Sequence, residues 1–157
     1  MKSPLELLHK RLCESGLTIS TAESCTGGML AMLMTEKSGS SQYFKGSIVA
    51  YSNQIKVDLL DVSEEALSKY GTVSEDVVLQ MLEGCEKRFH TDIVCAVSGI
   101  AGPDGGSEEK PVGTVYLGVK SLDKLMVEKC FFTGNRDEVR KKSCESVILK
   151  ILRILNS

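Results

Sequence analysis

Asp92-Ile93-Val94-Cys95-Ala96-Val97-Ser98 runs directly into Gly99-Ile100-Ala101-Gly102-Pro103-Asp104-Gly105-Gly106. Five consecutive apolar residues, Ile93 to Val97, without polar alternation, read as a strand buried on both faces, and the glycines and proline that follow mark a loop at its C-terminal end. A strand hidden on both faces needs helices on both sides of its sheet. The flanking sequence supplies them. Val77, Val78, Met81, Leu82, Cys85 and Phe89 recur at helical spacing across 75–89, and the stretches near 53–60 and 64–70 also read as helices. Further upstream, Lys45 to Tyr51 reads as a buried strand through Ser47-Ile48-Val49-Ala50-Tyr51, Met29 to Met34 as a helix, and Leu17 to Ala22 as a short strand. A first helix is expected over 4–15, with Ser3 as cap, Pro4 in the first turn and Glu6 completing a capping box. Downstream, strands near 112–120 and 126–132 precede a last helix. Asn135 caps it, Glu138 stands at its third position, and Val147, Ile148, Ile151, Leu152 and Leu155 face inward. The order implies one α/β domain over residues 1–157: a three-layer α/β/α arrangement around a mostly parallel or mixed central sheet.

In such sheets ligands bind in the loops beyond the strand C-termini. Three unusual segments fall there: Ala22 to Gly28, Tyr51 to Lys56, and Ser98 to Gly106.

Composition narrows the function classes. The 19 basic and 21 acidic residues leave a formal net charge of -2, with no general attraction for nucleic acid or an acidic membrane surface, so any anion must be held locally. The six cysteines have neither C-x-x-C pairing nor neighbouring histidines at zinc-ligand spacing; reduced, mostly buried thiols are expected and no metal site. No basic leader with an apolar run and no membrane-length stretch is present, which makes a cytoplasmic location the expectation.

Ala22-Glu23-Ser24-Cys25-Thr26-Gly27-Gly28 puts a hydroxyl and a thiol on a strand-to-helix turn, where free N–H groups favour an anion or a developing oxyanion. Taken alone, hydroxyl residues before a helix are more often caps than catalysts. A serine nucleophile needs a base. His9 lies in the first helix and His90 just past another, neither near a strand-end loop, so a Ser-His-Asp triad does not fit. Lys56 is the other solution, because a desolvated ammonium titrates low enough to accept a proton, directly or through Tyr51; a solvated helix lysine and a strand-end tyrosine are the plainer readings. Cys25 is the rival nucleophile, since a thiol at a helix N-terminus is expected to have a lowered pKa, but it has no histidine partner. The 98–106 loop either lines an anion or carbonyl site with successive N–H groups or is plain surface; it is neither a Walker A loop nor a G-x-G-x-x-G turn. Arg136 and Arg140, four apart, share one face near the start of the last helix, as a clamp for phosphate or carboxylate or as surface partners of Asp137 and Glu138.

Taken together, several segments resemble one family. They are Ala22 to Gly28, Ala50-Tyr51-Ser52-Asn53-x-x-Lys56 with Leu59-Leu60-Asp61-Val62, Gly71-Thr72-Val73-Ser74-Glu75, Ala96 to Gly106, and Lys110-Pro111-Val112-Gly113-Thr114-Val115. In order and over nearly the whole chain, they are similar to the CinA C-terminal domain family, which includes stand-alone nicotinamide-nucleotide amidases. The resemblance implies hydrolysis of nicotinamide mononucleotide to nicotinate mononucleotide and ammonia, a step of pyridine-nucleotide salvage. It assigns catalysis to Ser24, Tyr51 and Lys56, with Lys56 and Tyr51 relaying the serine proton, and it gives the N–H groups from Cys25 through Thr26, Gly27 and Gly28 to the oxyanion or phosphate. Ser98, Gly99, Ala101 and Gly102 fall by the ligand, and Arg136 and Arg140 fall to the phosphate. Asn135 departs from the family's usual aspartate but caps a helix equally well. No cofactor or metal is implied; a homodimer is, and neither nucleic acid nor membrane is a partner. The alternative within the resemblance is a catalytically silent nucleotide-binding module.

Overall fold

The computed structural model describes residues 1–156. Helix α1 (Pro4–Ser15) starts on the expected capping box, with Ser3 Oγ accepting from the Glu6 N–H and Glu6 accepting from the Ser3 N–H. Strand β1 (Ile19–Glu23), helix α2 (Met29–Met34) and strand β2 (Phe44–Val49) follow. Three helices come next, α3 (Asn53–Leu60), α4 (Glu64–Tyr70) and α5 (Glu75–Phe89), each opened by a serine cap: Ser52, Ser63 and Ser74. Strand β3 (Ile93–Gly99), the hairpin β4 (Thr114–Ser121) and β5 (Lys124–Phe131), and helix α6 (Arg136–Asn156) complete the chain.

The sheet order is β2-β1-β3-β4-β5. β1 runs parallel to both neighbours, while β3, β4 and β5 alternate direction, so the sheet is mixed. Alternate residues of β3 serve opposite faces: Ile93, Cys95 and Val97 pack with α1, α2 and α6, whereas Val94 and Ala96 pack with α3, α4 and α5. That double coverage is the physical reason for an unbroken apolar run in the sequence. Chain order reverses beside β1, with β2 on one side and β3 on the other, and the C-terminal ends of all three parallel strands open on one crevice.

Three expectations need correction. The strand expected over 45–51 is shorter and lies at the sheet edge, where it has one strand neighbour and is only half-buried; Tyr51 leaves the sheet altogether. In α6 Leu155 does pack against the core, but only partly buried at its margin, and Ile154, not expected to face inward, is buried. The hairpin strands begin two residues apart from their expected starts, since Gly113, at φ 99°, belongs to the preceding turn and the β4–β5 turn at Leu122 is tight. Among the described residues no helix is long and apolar enough to cross a membrane.

Candidate active site

At the C-terminal end of β1 the chain makes a turn whose strand-end contacts bind all three parallel strands together. The Ser24 N–H donates to the Val97 carbonyl (3.1 Å), and the Ala50 N–H donates to the Glu23 carbonyl (2.8 Å). Ser24 therefore sits between the ends of β2 and β3. Lys56, on the second turn of α3, is fully buried and reaches back beneath it. Its ammonium donates to Ser24 Oγ at 3.0 Å and to the carbonyls of Ala50 (2.8 Å) and Tyr51 (3.2 Å). Burial lowers the Lys56 pKa to about 8, against a smaller opposing effect of the neighbouring Cys25 thiol. When Lys56 loses a proton, the two carbonyls retain the remaining N–H bonds and the lone pair faces Ser24.

Glu23 was left without a role by the sequence reading. Its carboxylate is fully buried. Oε1 accepts from Thr26 Oγ1 (2.7 Å), the Leu30 N–H (2.9 Å) and the Gly28 N–H (3.2 Å), and Oε2 accepts from the Ala31 N–H (3.0 Å) and Ser47 Oγ (3.2 Å). A buried carboxylate survives only with such a set of donors, and these come from the first turn of α2 and from β2. The signal available in the sequence was a carboxylate at the end of a strand expected to be covered on both faces, followed by a hydroxyl residue and a helix start.

Arg140 supports the same turn from the other side, donating from Nε to the Cys25 carbonyl and from Nη2 to the Thr26 carbonyl, both at 3.0 Å. Arg136, one turn earlier on α6, donates to the Gly102 carbonyl (2.9 Å) and to the Tyr51 hydroxyl (3.1 Å). The two arginines share a helix face, as expected, yet Arg140 braces the Ser24 turn and Arg136 lies at the mouth of a cleft.

That cleft, about 250 Å³, is lined by Ser24, Cys25, Tyr51, Thr72, Gly99, Ile100, Ala101, Gly102, Asp104, Gly105 and Arg136. Ser24, Tyr51, Cys25, Gly99, Ala101, Gly102 and Arg136 are thus brought together with the chemistry; Lys56 lies below the floor. Thr26, Gly27, Gly28, Ser98 and Arg140 are not among the residues that line the cleft. The Ser98 hydroxyl is spent on the Thr72 carbonyl (2.9 Å), the Gly27 N–H on the Ser24 carbonyl (3.0 Å) and the Gly28 N–H on Glu23. In the same turn the Thr26 amide makes no hydrogen bond to another described residue, and the Cys25 amide meets only its own thiol. Thr72 and Asp104 line the cleft without having been singled out in the sequence.

Two chemical expectations change. Cys25, expected to have a depressed pKa, is buried, and burial pushes its thiol up to about 11 despite the opposing charges of Arg140 and Lys56. The Tyr51 hydroxyl, expected in a proton relay, is bonded to Arg136, while Lys56 meets Ser24 directly. A larger groove of about 540 Å³ runs among Leu5, Met29, Met32, Leu33 and Ile148, but it is apolar and remote from Ser24. The histidines are elsewhere: His9 bonds Tyr43 and His90 ends α5.

A family model for the CinA C-terminal domain matches residues 2–155. The chain belongs to the CinA C-terminal domain family. A CinA-like protein of Petrotoga mobilis is 48% identical over 144 residues, covering 92% of this chain and 36% of its own length. One of Syntrophomonas wolfei is 42% identical over 153 residues, 98% of this chain and 37% of its own. The chain thus spans just over a third of the length of these curated relatives. Among solved structures, the competence/damage inducible protein CihA of Agrobacterium tumefaciens superposes with a TM-score of 0.91 at 37% identity, covering all of this chain and 98% of that one. A CinA superfamily protein of Escherichia coli gives 0.91 at 29% identity over 96% and 88% of the two chains.

Proposed function

We propose that this CinA domain is a serine amidase that hydrolyses nicotinamide mononucleotide to nicotinate mononucleotide and ammonia. The observation that carries the reading is the buried Lys56 Nζ, 3.0 Å from Ser24 Oγ and pinned by two carbonyls. Nothing in the packing of the core calls for a lysine there. Burying an ammonium beside a hydroxyl in a cleft floor is costly, and such perturbed groups cluster at functional sites.

The neutral Lys56 accepts the Ser24 proton as Oγ attacks the carboxamide carbon. The tetrahedral oxyanion takes hydrogen bonds from the Cys25 and Thr26 amides, and Arg140, bound to the Cys25 carbonyl, polarises the peptide group that carries the Thr26 N–H. Lys56, now an ammonium, returns the proton to the amine as the C–N bond breaks, releasing ammonia and leaving a Ser24 ester. A water then gives one proton to Lys56 and its oxygen to the acyl carbon, Ser24 takes that proton back as its ester bond breaks, and the carboxylic acid formed loses its remaining proton to solvent as the carboxylate product leaves. Tyr51 contributes its backbone carbonyl to Lys56 and its hydroxyl to the orientation of Arg136, which faces the substrate phosphate. Cys25, kept protonated, is not the nucleophile.

The test is ammonia release from nicotinamide mononucleotide by the purified protein, without added metal, beside Ser24→Ala and Cys25→Ala. Release by wild type and Cys25→Ala but not by Ser24→Ala supports the serine amidase. Loss confined to Cys25→Ala moves the chemistry to the thiol, and nucleotide binding without any release leaves a binding module. Free nicotinamide, which lacks the phosphate, is expected to be a far poorer substrate.

A further inference from the structure

Of the side chains that line the cleft, Asp104 and Arg136 are the two that carry a formal charge, and the charges are opposite. They do not neutralise each other. Arg136 is committed to the Gly102 carbonyl and the Tyr51 hydroxyl, and no ion pair within 4 Å joins Asp104 to any cation among the described residues. Asp104 is an exposed residue, but the backbone that carries it is constrained. It lies between Gly102 (φ 87°) and Gly105 (φ 94°), backbone conformations that favour glycine, and a Cβ on Gly102 would come within 2.4 Å of Val112 Cγ1. The same loop is tied to β4 by the Ile100 N–H on the Thr114 carbonyl (2.9 Å) and the Gly113 N–H on the Ile100 carbonyl (2.8 Å). A carboxylate and a guanidinium thus line one small cavity, and neither is in an ion pair within 4 Å.

A neutral ligand filling the cleft strips water from both groups and compensates neither, and a purely anionic one satisfies Arg136 while meeting like charge at Asp104. A ligand carrying both signs satisfies both. We infer that Asp104 is the counter-charge for a cationic ring in the substrate, so that the cleft selects dipolar amides whose positive ring lies toward Asp104 and whose anionic group lies toward Arg136. The identity of the amide rests on the amidase reading above; the charge pattern is independent of it. In a nicotinamide mononucleotide the quaternised pyridinium is that cation and the phosphate that anion, with the carboxamide carbon carried on the ring to Ser24.

The decisive comparison is between nicotinamide mononucleotide and benzamide riboside 5′-monophosphate, which keeps the carboxamide, ribose and phosphate but replaces the pyridinium nitrogen with carbon. Dissociation constants are measured by calorimetry in a Ser24→Ala background, so that no turnover intervenes, with and without Asp104→Asn. Asp104→Asn is expected to weaken the pyridinium ligand about three- to tenfold, the range of a partly exposed ion pair, and to leave the neutral isostere unchanged, with the difference shrinking in 1 M salt. Equal weakening of both ligands would make Asp104 a ribose contact and overturn the inference, as would no weakening of either. Binding with the expected charge preference but no ammonia release from the wild-type protein would sink the amidase reading and leave this one standing.

Discussion

At the floor of the cleft Ser24 and Lys56 are buried and their polar atoms are engaged, whereas at its rim Tyr51, Asp104 and Arg136 stand exposed on elements that solvent can reach. The floor is held from below by Glu23, with five close donors, and from the side by Arg140. The rim is held by loop shape and by one guanidinium spanning Gly102 and Tyr51. Low effective dielectric makes the floor's interactions strong and its defects expensive; solvent and salt moderate everything at the rim. Substitutions at the floor should therefore act on turnover and stability, and those at the rim on affinity.

The largest effect is expected for Lys56→Met, which removes the base: kcat should fall by a factor on the order of 10³, within the range of a positioned general base. In the wild-type protein, kcat/KM should rise with pH through a midpoint near 8 and level off about one unit above it, because on the proposed mechanism the neutral amine accepts the serine proton and burial lowers the Lys56 pKa to about 8. A profile flat from pH 6 to 9 would exclude Lys56 as base. Next comes Glu23→Gln, which keeps the shape but opposes an NH₂ to the donors around the carboxylate. A loss of about 3 kcal/mol in urea unfolding is expected, since buried donors lose their acceptor. A change below about 0.5 kcal/mol would show that the floor is not organised by Glu23.

The two arginines sharpen the contrast because they lie four residues apart on one helix. Arg140→Met should lower kcat by about tenfold with little change in KM, as expected for a residue that orients the oxyanion donors, while Arg136→Met should raise KM about tenfold with kcat nearly kept. The reverse pattern would exchange their roles. The smallest effect is expected for Tyr51→Phe. Tyr51 is 61% exposed and its hydroxyl meets Arg136, not Lys56, so a loss of only about threefold is expected, of the order of one exposed hydrogen bond. A loss above a hundredfold would restore the tyrosine relay that the family resemblance implies.

Much of this was legible in the chain. The unbroken run Ile93 to Val97, the capping box at Ser3 and the glycine-rich segments disclosed a covered sheet with three unusual strand ends, because hydrophobic period and turn chemistry are local properties. Edge position was not legible: β2 and β3 both read as apolar strands, and only pairing shows that β2 has one neighbour.

The sequence by itself determined the element order, the strand-end turn bearing Ser24 and the lysine within a turn of a helix start. Tertiary structure alone decided protonation and partnership: that Lys56 points inward to Ser24, that the Cys25 thiol is raised rather than lowered, and that Arg140 and Arg136 part company. The physical reason is that burial and hydrogen-bond partners come from residues far apart along the chain. Arg140 and Cys25 are separated by 115 positions, and Lys56 and Ser24 by 32.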